Sequence, residues 1–576
     1  MSISYEPLSR LESEIRLLTI LPTSGTDRDE HIRCTLEIVS LVFPPSYTAL
    51  SYCWGDPNDK GDIVVNEQRV QAGSNLIAAL QQLREDNISK VWVDALCINQ
   101  DDVEERNSQL LRMGAIYRRA EVTVAWLGLA SDRTNDVFQS FTKILEDKER
   151  WPQPDDFGSV PQQAEAEMFA LLGREYWYRV WIIQELALSK QVIVMCGSFQ
   201  TTWATIEAAL QMTTFRGHES LDHLRNIARL RKNIVEDKPV HIYEALYHSC
   251  HSLASEPRDK VFALLGLAYN AAAIMPIPNY AQSVPDLCLE MTLSAMAMTR
   301  SLDVILLGRV AGVESGPSWQ ANWLSLRLDS CSAKRIFMYL WDKLRPRFSR
   351  WFNPLSPNGN RWSASLDHLP NFQLRSHNIL RAKGCLIDEI TSLSSRWVEE
   401  PADDPVQDGV SIDDASPTVR VDSKELERLE GLLGRADSSL PKIDRETRTW
   451  FRRNGIFLSE AGYLEGWEDF LGFCRYFFES VEHFNSDSWR NCALRDLDMR
   501  FMLAQGKYKG WVDSDARVGD KVALLLGCTV PVILRPRVGG GYRLVGDSVI
   551  KGLMYGEGLE GVNIAELDYI ESLLMT

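Results

Sequence analysis

One stretch limits the fold more than any other: Val91 to Gly128, VWVDALCINQDDVEERNSQLLRMGAIYRRAEVTVAWLG. It places a short apolar strand, a polar turn, an amphipathic helix and a second apolar strand in under forty residues. Asp101 or Asp102 is placed to cap the helix. Its apolar stripe reads Val103, Leu110, Leu111, Gly114 and Tyr117, with Glu104, Glu105 and Arg106 most simply on a solvated face. Glu121 to Leu127 is apolar almost throughout, as a strand covered on both faces should be. Upstream, Tyr47–Cys53 reads as a further strand ending at the turn Trp54-Gly55-Asp56-Pro57. Ile63-Val64-Val65 followed by Asn66-Glu67-Gln68 suggests a hairpin. Ser74 then opens a helix with Leu76, Ile77, Leu80 and Leu83 at helical spacing. This β-α-β-α-β order predicts an α/β fold on a parallel sheet with right-handed crossovers.

At 576 residues the chain is too long for one core and suits two or three domains. Its net charge of −17 argues against nucleic acid or an anionic membrane as main partner. No run of eighteen apolar residues marks a membrane span. The N-terminus lacks the basic and apolar blocks of a signal peptide. The eleven cysteines occur singly, as free thiols in a reducing compartment would, so the cytoplasm is the expected location. Helical patterns dominate from about Trp203 to Arg300, followed by aromatic, proline-bearing segments at Gly316–Trp319 and Asn353–Trp362. The acidic stretch Val398–Ser423 reads as a disordered insertion. Helical patterns return over Lys424–Phe484. Gly539-Gly540-Gly541, between two strand-like runs, reads as a hairpin turn. The predicted domains are 1–200 α/β, 201–397 mostly helical, 398–423 the insertion, and 424–576 helices leading into a small β-rich subdomain.

Ligands of open parallel sheets sit beyond the C-terminal strand ends. Two turns fall there. In Asp94–Gln100, Asp94 suits ribose hydroxyls and Asn99 and Gln100 suit polar edges; the alternative is that Asp94 and Asn99 only shape the turn. In Ser51-Tyr52-Cys53-Trp54-Gly55, the glycine permits close approach to a ligand, or Trp54 is a packing plug. Arg106, one turn into the helix after Asp101, is placed to contact the ligand or a neighbouring loop. In Trp177–Leu186, Trp177, Trp181 and Gln184 or Glu185 fall on one helical face. A carboxylate beside tryptophans has its charge disfavoured by burial, a setting for acid–base chemistry or for stabilising a cationic transition state. His248-Ser249-Cys250-His251 lacks further ligands at metal spacing and reads as a helix end. No cofactor motif is present.

These same residues carry a family resemblance. Tyr47–Gly55, Trp92–Gln100, Glu105-Arg106 with Gln109, Met113, Tyr117 and Ala120, Trp126-Leu127-Gly128, and Trp177–Glu185 resemble the blocks of the fungal heterokaryon-incompatibility (HET) domain. Pro257–Gly266, Pro317-Ser318-Trp319, Gly519-Asp520, Leu534-Arg535, Val545-Gly546 and Gly552–Glu557 are similar to its follow-on motifs. Asn279-Tyr280 and Asn322-Trp323 depart from the family, which more often has Asp before the aromatic residue. The resemblance implies a role in non-self recognition and programmed cell death. It also implies a TIR/flavodoxin-like core, distantly related to TIR domains, some of which cleave NAD⁺. Trp181-x-x-x-Glu185 is similar to the TIR segment that holds the catalytic glutamate. On that basis Glu185 is the candidate catalytic residue. Ser51, Tyr52, Trp54, Gly55, Asp94, Cys97, Asn99, Gln100, Arg106, Arg179 and Trp181 are the candidate ligand contacts, with NAD⁺ as substrate rather than cofactor and self-association as the gate. Two other readings stay open: a non-enzymatic interaction module using the Cys97–Gln109 surface, and a scaffold recruited to a small metabolite. Glu185 facing an open cleft would favour catalysis; Glu185 tied to Arg179 would favour structure.

Overall fold

The computed structural model describes residues 3–9, 13–23, 31–150, 162–211, 221–308, 317–324, 326, 364–366, 368–376, 379–393, 499–505, 508–513, 515–550, 552–554 and 556–572. The expected acidic insertion, the Lys424–Phe484 helices and the Asn353–Trp362 segment lie outside the described residues. The chain divides into two compact units, Met1–Val284 and Pro285–Thr576.

The first unit is built on β1 (Glu14–Ile20), β2 (Arg33–Ser40), β3 (Thr48–Tyr52), β4 (Lys60–Val65), β5 (Gln68–Gly73), β6 (Lys90–Trp92), β7 (Val122–Trp126), β8 (Val192–Cys196) and β9 (Phe199–Thr202). They form one nine-stranded sheet in the order β5-β4-β2-β1-β6-β3-β7-β8-β9. The block β6-β3-β7-β8 is parallel. It contains the three strands read from the sequence, in chain order second-first-third, followed by β8. The sheet as a whole is mixed, not parallel as expected. The hairpin β1–β2 is antiparallel, β1 also pairs antiparallel with β6, and β9 closes the far edge antiparallel to β8. The β4–β5 hairpin is as expected. Its two turn residues, Asn66 and Glu67, both have left-handed backbone (φ 46° and 63°), the geometry that matches a two-residue turn to strand twist.

The helices of this unit are α1 (Ser74–Glu85), α2 (Asp94–Cys97), α3 (Val103–Leu110), α4 (Met113–Arg119), α5 (Thr134–Arg150), α6 (Gln162–Leu172), α7 (Trp181–Ala187), α8 (Trp203–Gln211), α9 (Asp222–Val235), α10 (Ile242–Ser249) and α11 (Asp259–Phe262). Leu76, Leu80 and Leu83 of α1 are buried as expected. Asp102 caps α3, accepting from the Glu104 and Glu105 amides at 3.0 Å each. The anticipated single helix, however, breaks at Leu111–Arg112 into α3 and α4, and Val103 and Leu111 are about half exposed, at 50% and 51%. The face of α3 that is buried carries Glu105 and Gln109.

Glu105 is buried because it has a partner on β1. The Arg16 guanidinium, 2% exposed, donates to both Glu105 carboxylate oxygens, at 2.7 and 3.0 Å. Arg16 also donates to the carbonyls of Cys97 (3.1 Å) and Glu6 (2.5 Å), and lies 4.7 Å over the Tyr5 ring. Glu105 in turn accepts the Asn99 amide at 2.7 Å. Reading Glu105 as a solvated charge was therefore wrong.

A second close approach docks α11. The Cβ of a residue replacing Gly114 would lie 3.1 Å from the Gly266 Cα, and the converse substitution 3.0 Å from the Gly114 Cα. Between them the Gln184 amide donates to the Ala263 carbonyl (2.8 Å) and accepts the Gly114 amide (2.6 Å).

The second unit holds all but the first residue of α12 (Val284–Thr299), followed by β10 (Phe372–Ser376), β11 (Ile379–Leu393), β12 (Met499–Ala504), β13 (Lys509–Asp513), β14 (Lys521–Leu525), β15 (Val532–Pro536), β16 (Tyr542–Ile550) and β17 (Tyr569–Ser572). The path β11-β12-β13-β16-β15-β14 returns to β11 and closes a barrel. Ile390, Met502, Val512, Val522, Ile533, Val545 and Ile550 share its core. Closure removes the free edges such strands would otherwise present. Gly539, Gly540 and Gly541 form the β15–β16 turn, all with positive φ, as expected. Asp520 and Arg535, both in motifs noted in the sequence, pair through two 2.9 Å hydrogen bonds.

Breaking the Arg16–Glu105 pair from one side should cost about 3–5 kcal/mol, because the remaining charge is left buried. Chemical denaturation should show Glu105→Gln strongly destabilised and Arg16→Met/Glu105→Leu recovering at least half of the loss. Equal losses in the two variants would show that the charges are not coupled.

Candidate functional site

The polar turn after β6 is held mostly by itself. Asp94 opens α2 and accepts the Ala95 amide through Oδ1 at 2.7 Å. Gln100 Nε2 donates back to the Asp94 carbonyl at 3.0 Å. Asn99 Oδ1 accepts the Asp101 amide at 3.3 Å, so Asn99 shapes the turn, the alternative left open for it. Cys97 is 1% exposed, and burial pushes its thiol up to about 12, which leaves it unreactive.

Asp94 and Gln100 instead line a cleft of about 380 Å³ over the ends of β3 and β6. Trp54, Ile98, Arg106, Leu110, Met113, Trp181, Glu256, Arg258, Asp259 and Tyr280 complete it. Two indoles there each hold a carboxylate. Trp54, 48% exposed, donates Nε1–H to Asp94 Oδ2 at 2.9 Å. Trp181 donates to Asp259 Oδ2 at 3.0 Å, and the Tyr280 hydroxyl donates to Asp259 Oδ1 at 2.6 Å. Burial raises both carboxyls above their ordinary range, against these hydrogen bonds. The guanidinium groups of Arg106 and Arg258 lie 5.0 and 5.5 Å over the Tyr280 ring.

Glu185 does not line the cleft. It sits one helical turn beyond Trp181, is 3% exposed, and accepts a short hydrogen bond from Ser51 Oγ. Ser51 Oγ is also 2.7 Å from the Tyr176 hydroxyl. Arg179 is half-buried nearby and donates to the Tyr52 carbonyl, not to Glu185. Burial raises the Glu185 carboxyl to about 7; Arg179 and the Ser51 hydrogen bond oppose the rise, and Asp94 adds to it. Burial opposes the Arg179 charge, but Glu185 and Asp94 outweigh it and raise its pKa. The helix expected through Trp177 and Glu185 is two pieces, a 3₁₀ turn at Glu175–Tyr178 and then α7, so Trp177 is not on the Trp181–Glu185 face.

The crossovers leave β3 and β7 in opposite directions, which makes their junction the switch point where ligands of doubly wound sheets lie. Here side chains of the protein fill it. Asn75 donates to the Cys53 carbonyl at 2.7 Å and accepts from Trp126 Nε1 at 2.9 Å. Arg174 donates to the Leu127 carbonyl at 2.6 Å. Gly55 has φ 78°, and a Cβ there would meet only Asn75, at 3.9 Å. Its backbone conformation, rather than a close approach, is what requires glycine.

Of the residues singled out from the sequence, Trp54, Asp94, Gln100, Arg106 and Trp181 meet at the cleft. Ser51, Tyr52, Arg179 and Glu185 form the buried layer next to it. Glu256, Arg258, Asp259 and Tyr280 were missed as site residues. The signal for Arg258 and Asp259 lay in the Pro257–Gly266 block and that for Tyr280 in Asn279-Tyr280; Glu256 had none. Among the described residues no group of three or more His, Cys, Asp or Glu could hold a metal, and the eight described cysteines are free. No described helix is long and apolar enough to cross a membrane.

The raised Glu185 carboxyl has a stability signature. The folded chain keeps its proton up to pH about 7, whereas the unfolded chain releases it near 4.5. The stability it contributes is present below 4.5 and lost as pH rises through 7, a change on the order of 3 kcal/mol. Denaturation midpoints of wild type and Glu185→Gln measured across pH 4.5–7 should converge or cross accordingly. Parallel curves would show that Glu185 titrates normally.

Residues 47–185 match the sequence profile of the family "Heterokaryon incompatibility protein (HET)". The chain is 25% identical to "Heterokaryon incompatibility protein 6, OR allele" of Neurospora crassa, over 96% of this chain and 95% of that one. No solved structure matches. The matched region spans β3 to Glu185, so the similarity to the heterokaryon-incompatibility (HET) family takes in the parallel strands β6, β3 and β7, the polar turn and the buried carboxylate layer.

Proposed function

We propose that this chain acts in heterokaryon incompatibility, the process named in its Neurospora relative, and that its cleft hydrolyses the N-glycosidic bond of NAD⁺. The observation that carries the reading is the stack of two carboxyls at one end of the sheet. Asp94 lines the cleft beside an exposed indole, and Glu185, with a pKa of about 7, lies behind it on the Trp181 helix. The order β6-β3-β7-β8, which is flavodoxin-like, supports the TIR-like core that this activity presupposes. Trp54 supplies a face for the pyridinium ring. Asp94 takes the ribose hydroxyls. In the reaction the C1′–N bond breaks and its electron pair neutralises the nicotinamide ring. Water then adds to C1′ and releases a proton. A carboxylate stabilises the oxocarbenium-like centre between these events. That role falls to Glu185, which must exchange Ser51 for the substrate. Self-association is the gate for the exchange.

The burial of Glu185 and its bond to Ser51 favour a second reading, a HET domain that binds its ligand and partners without cleaving anything. Nicotinamide release from NAD⁺, followed across the protein's oligomeric states, separates the two. Hydrolysis predicts a loss of about a hundredfold or more in both Glu185→Gln and Asp94→Asn. No release by wild type in any state, or full release by Glu185→Gln, leaves the binding module standing.

A further inference from the structure

The acids of the cleft are satisfied, whereas one of its cations is not. Both oxygens of Glu256 are held by Arg258, at 2.7 and 2.9 Å, and both of Asp259 by Trp181 and Tyr280. The other Arg258 donors go to the carbonyls of Tyr280 and Gln282. Among the described residues, the Arg106 guanidinium makes no hydrogen bond or close ion pair; it feels the Glu256 and Asp259 charges only at longer range, and its Nε is buried without a partner. It is held in place by the Tyr280 ring beneath it. A buried donor of this kind is costly until an acceptor arrives, and the planar guanidinium fork suits a phosphate.

The same cleft offers the opposite charge elsewhere. At the ends of β3 and β6, the half-exposed Trp54 ring is fixed against the Asp94 carboxylate, a setting for a flat cation. A purely anionic ligand would meet Asp94 unfavourably, and a purely cationic one would leave Arg106 unused. A volume of about 380 Å³ is at the small end of ligand pockets, enough for one nucleotide unit.

We propose that Arg106 is the phosphate-binding residue of the cleft and that the occupant is a zwitterionic mononucleotide unit, its phosphate on Arg106 and its cationic ring on Trp54 beside Asp94. The identity of the ring rests on the NAD⁺ reading; the phosphate subsite does not. A dinucleotide would place its other half outside.

The test is titration calorimetry on the full chain with nicotinamide mononucleotide, nicotinamide riboside and inorganic phosphate. Wild type should bind the mononucleotide at least about tenfold more tightly than the riboside, and free phosphate most weakly. Arg106→Gln should remove that preference while leaving riboside affinity unchanged, and Arg106→Lys should restore part of it. Equal affinity for mononucleotide and riboside in wild type, or a preference that survives Arg106→Gln, would overturn the assignment. Should Arg106→Gln fail to fold, an unreduced preference in Arg106→Lys overturns it instead. Mononucleotide binding without any nicotinamide release from NAD⁺ keeps the Arg106 subsite and removes the hydrolysis.

Discussion

Two charges withdrawn from water between β1 and α3 set the position of the cleft. A buried ion pair repays its desolvation only with good geometry and with its remaining donors and acceptors filled. Arg16 and Glu105 meet the first condition and most of the second, with Arg16 Nε left buried without a partner. Their contact is bidentate, Arg16 also holds the carbonyls of Cys97 and Glu6, and Glu105 also holds the Asn99 amide. The pair thereby fastens the N-terminal segment, the turn after β6 and the start of α3 to one strand. With Cys97 and Asn99 pinned from below, Asp94 and Gln100 are left to face the cleft, and Arg106, next to Glu105 on α3, is turned toward it.

The cleft needs more than the block similar to the HET family that supplies its floor. Asp259 and Tyr280 lie downstream of the matched residues, yet Asp259 takes the Trp181 indole and Tyr280 underlies Arg106. They arrive there because Gly114 and Gly266 let the two backbones nearly touch, with Gln184 bridging them. A side chain at either glycine would push α11 away from α4 and α7. The follow-on motif read in the sequence thus has a physical role as the far wall of the site. The Asn at 279, a departure from the family, does not disturb this wall; its side chain accepts the Ala281 amide at 2.9 Å, while Tyr280 makes the cleft contacts.

What the sequence made legible was local. The strands β3, β6 and β7 are apolar runs, the β4–β5 turn is announced by Asn66, and Asp102 declares a helix start. β1 was illegible because Glu14, Arg16 and Thr19 interrupt its apolar residues, and the partner of Arg16, Glu105, is 89 positions away. No local pattern says that one carboxylate of Glu104-Glu105 is buried and the other is not. The candidate site was legible to the same extent. Trp54, Asp94, Arg106 and Trp181 stand out by type and placement. Asp259 and Tyr280 reach them only through long-range packing, and the filling of the β3–β7 switch point by Asn75 depends on three separate segments meeting.

The carboxyls at this end of the sheet give the strongest physical argument that it is a site and not merely a core. Asp94, Asp259 and Glu185 are all buried enough to be pushed toward the neutral acid. A fold selected for stability alone would replace such groups with apolar side chains, since burying an acid costs desolvation even when its oxygens are hydrogen-bonded. Here each is kept and given a donor that is also a potential ligand contact or lies next to one: Trp54 for Asp94, Trp181 and Tyr280 for Asp259, Ser51 for Glu185. Indole and phenol groups donate one hydrogen each and leave an aromatic face free. The arrangement holds the acids ready without neutralising them by an ion pair. The only unpaired guanidinium among the cleft's described residues, Arg106, lies within the same enclosure. Two buried acids, Asp94 and Asp259, and a guanidinium with a bare Nε in one small volume are a cost to folding that a ligand carrying both charges would offset.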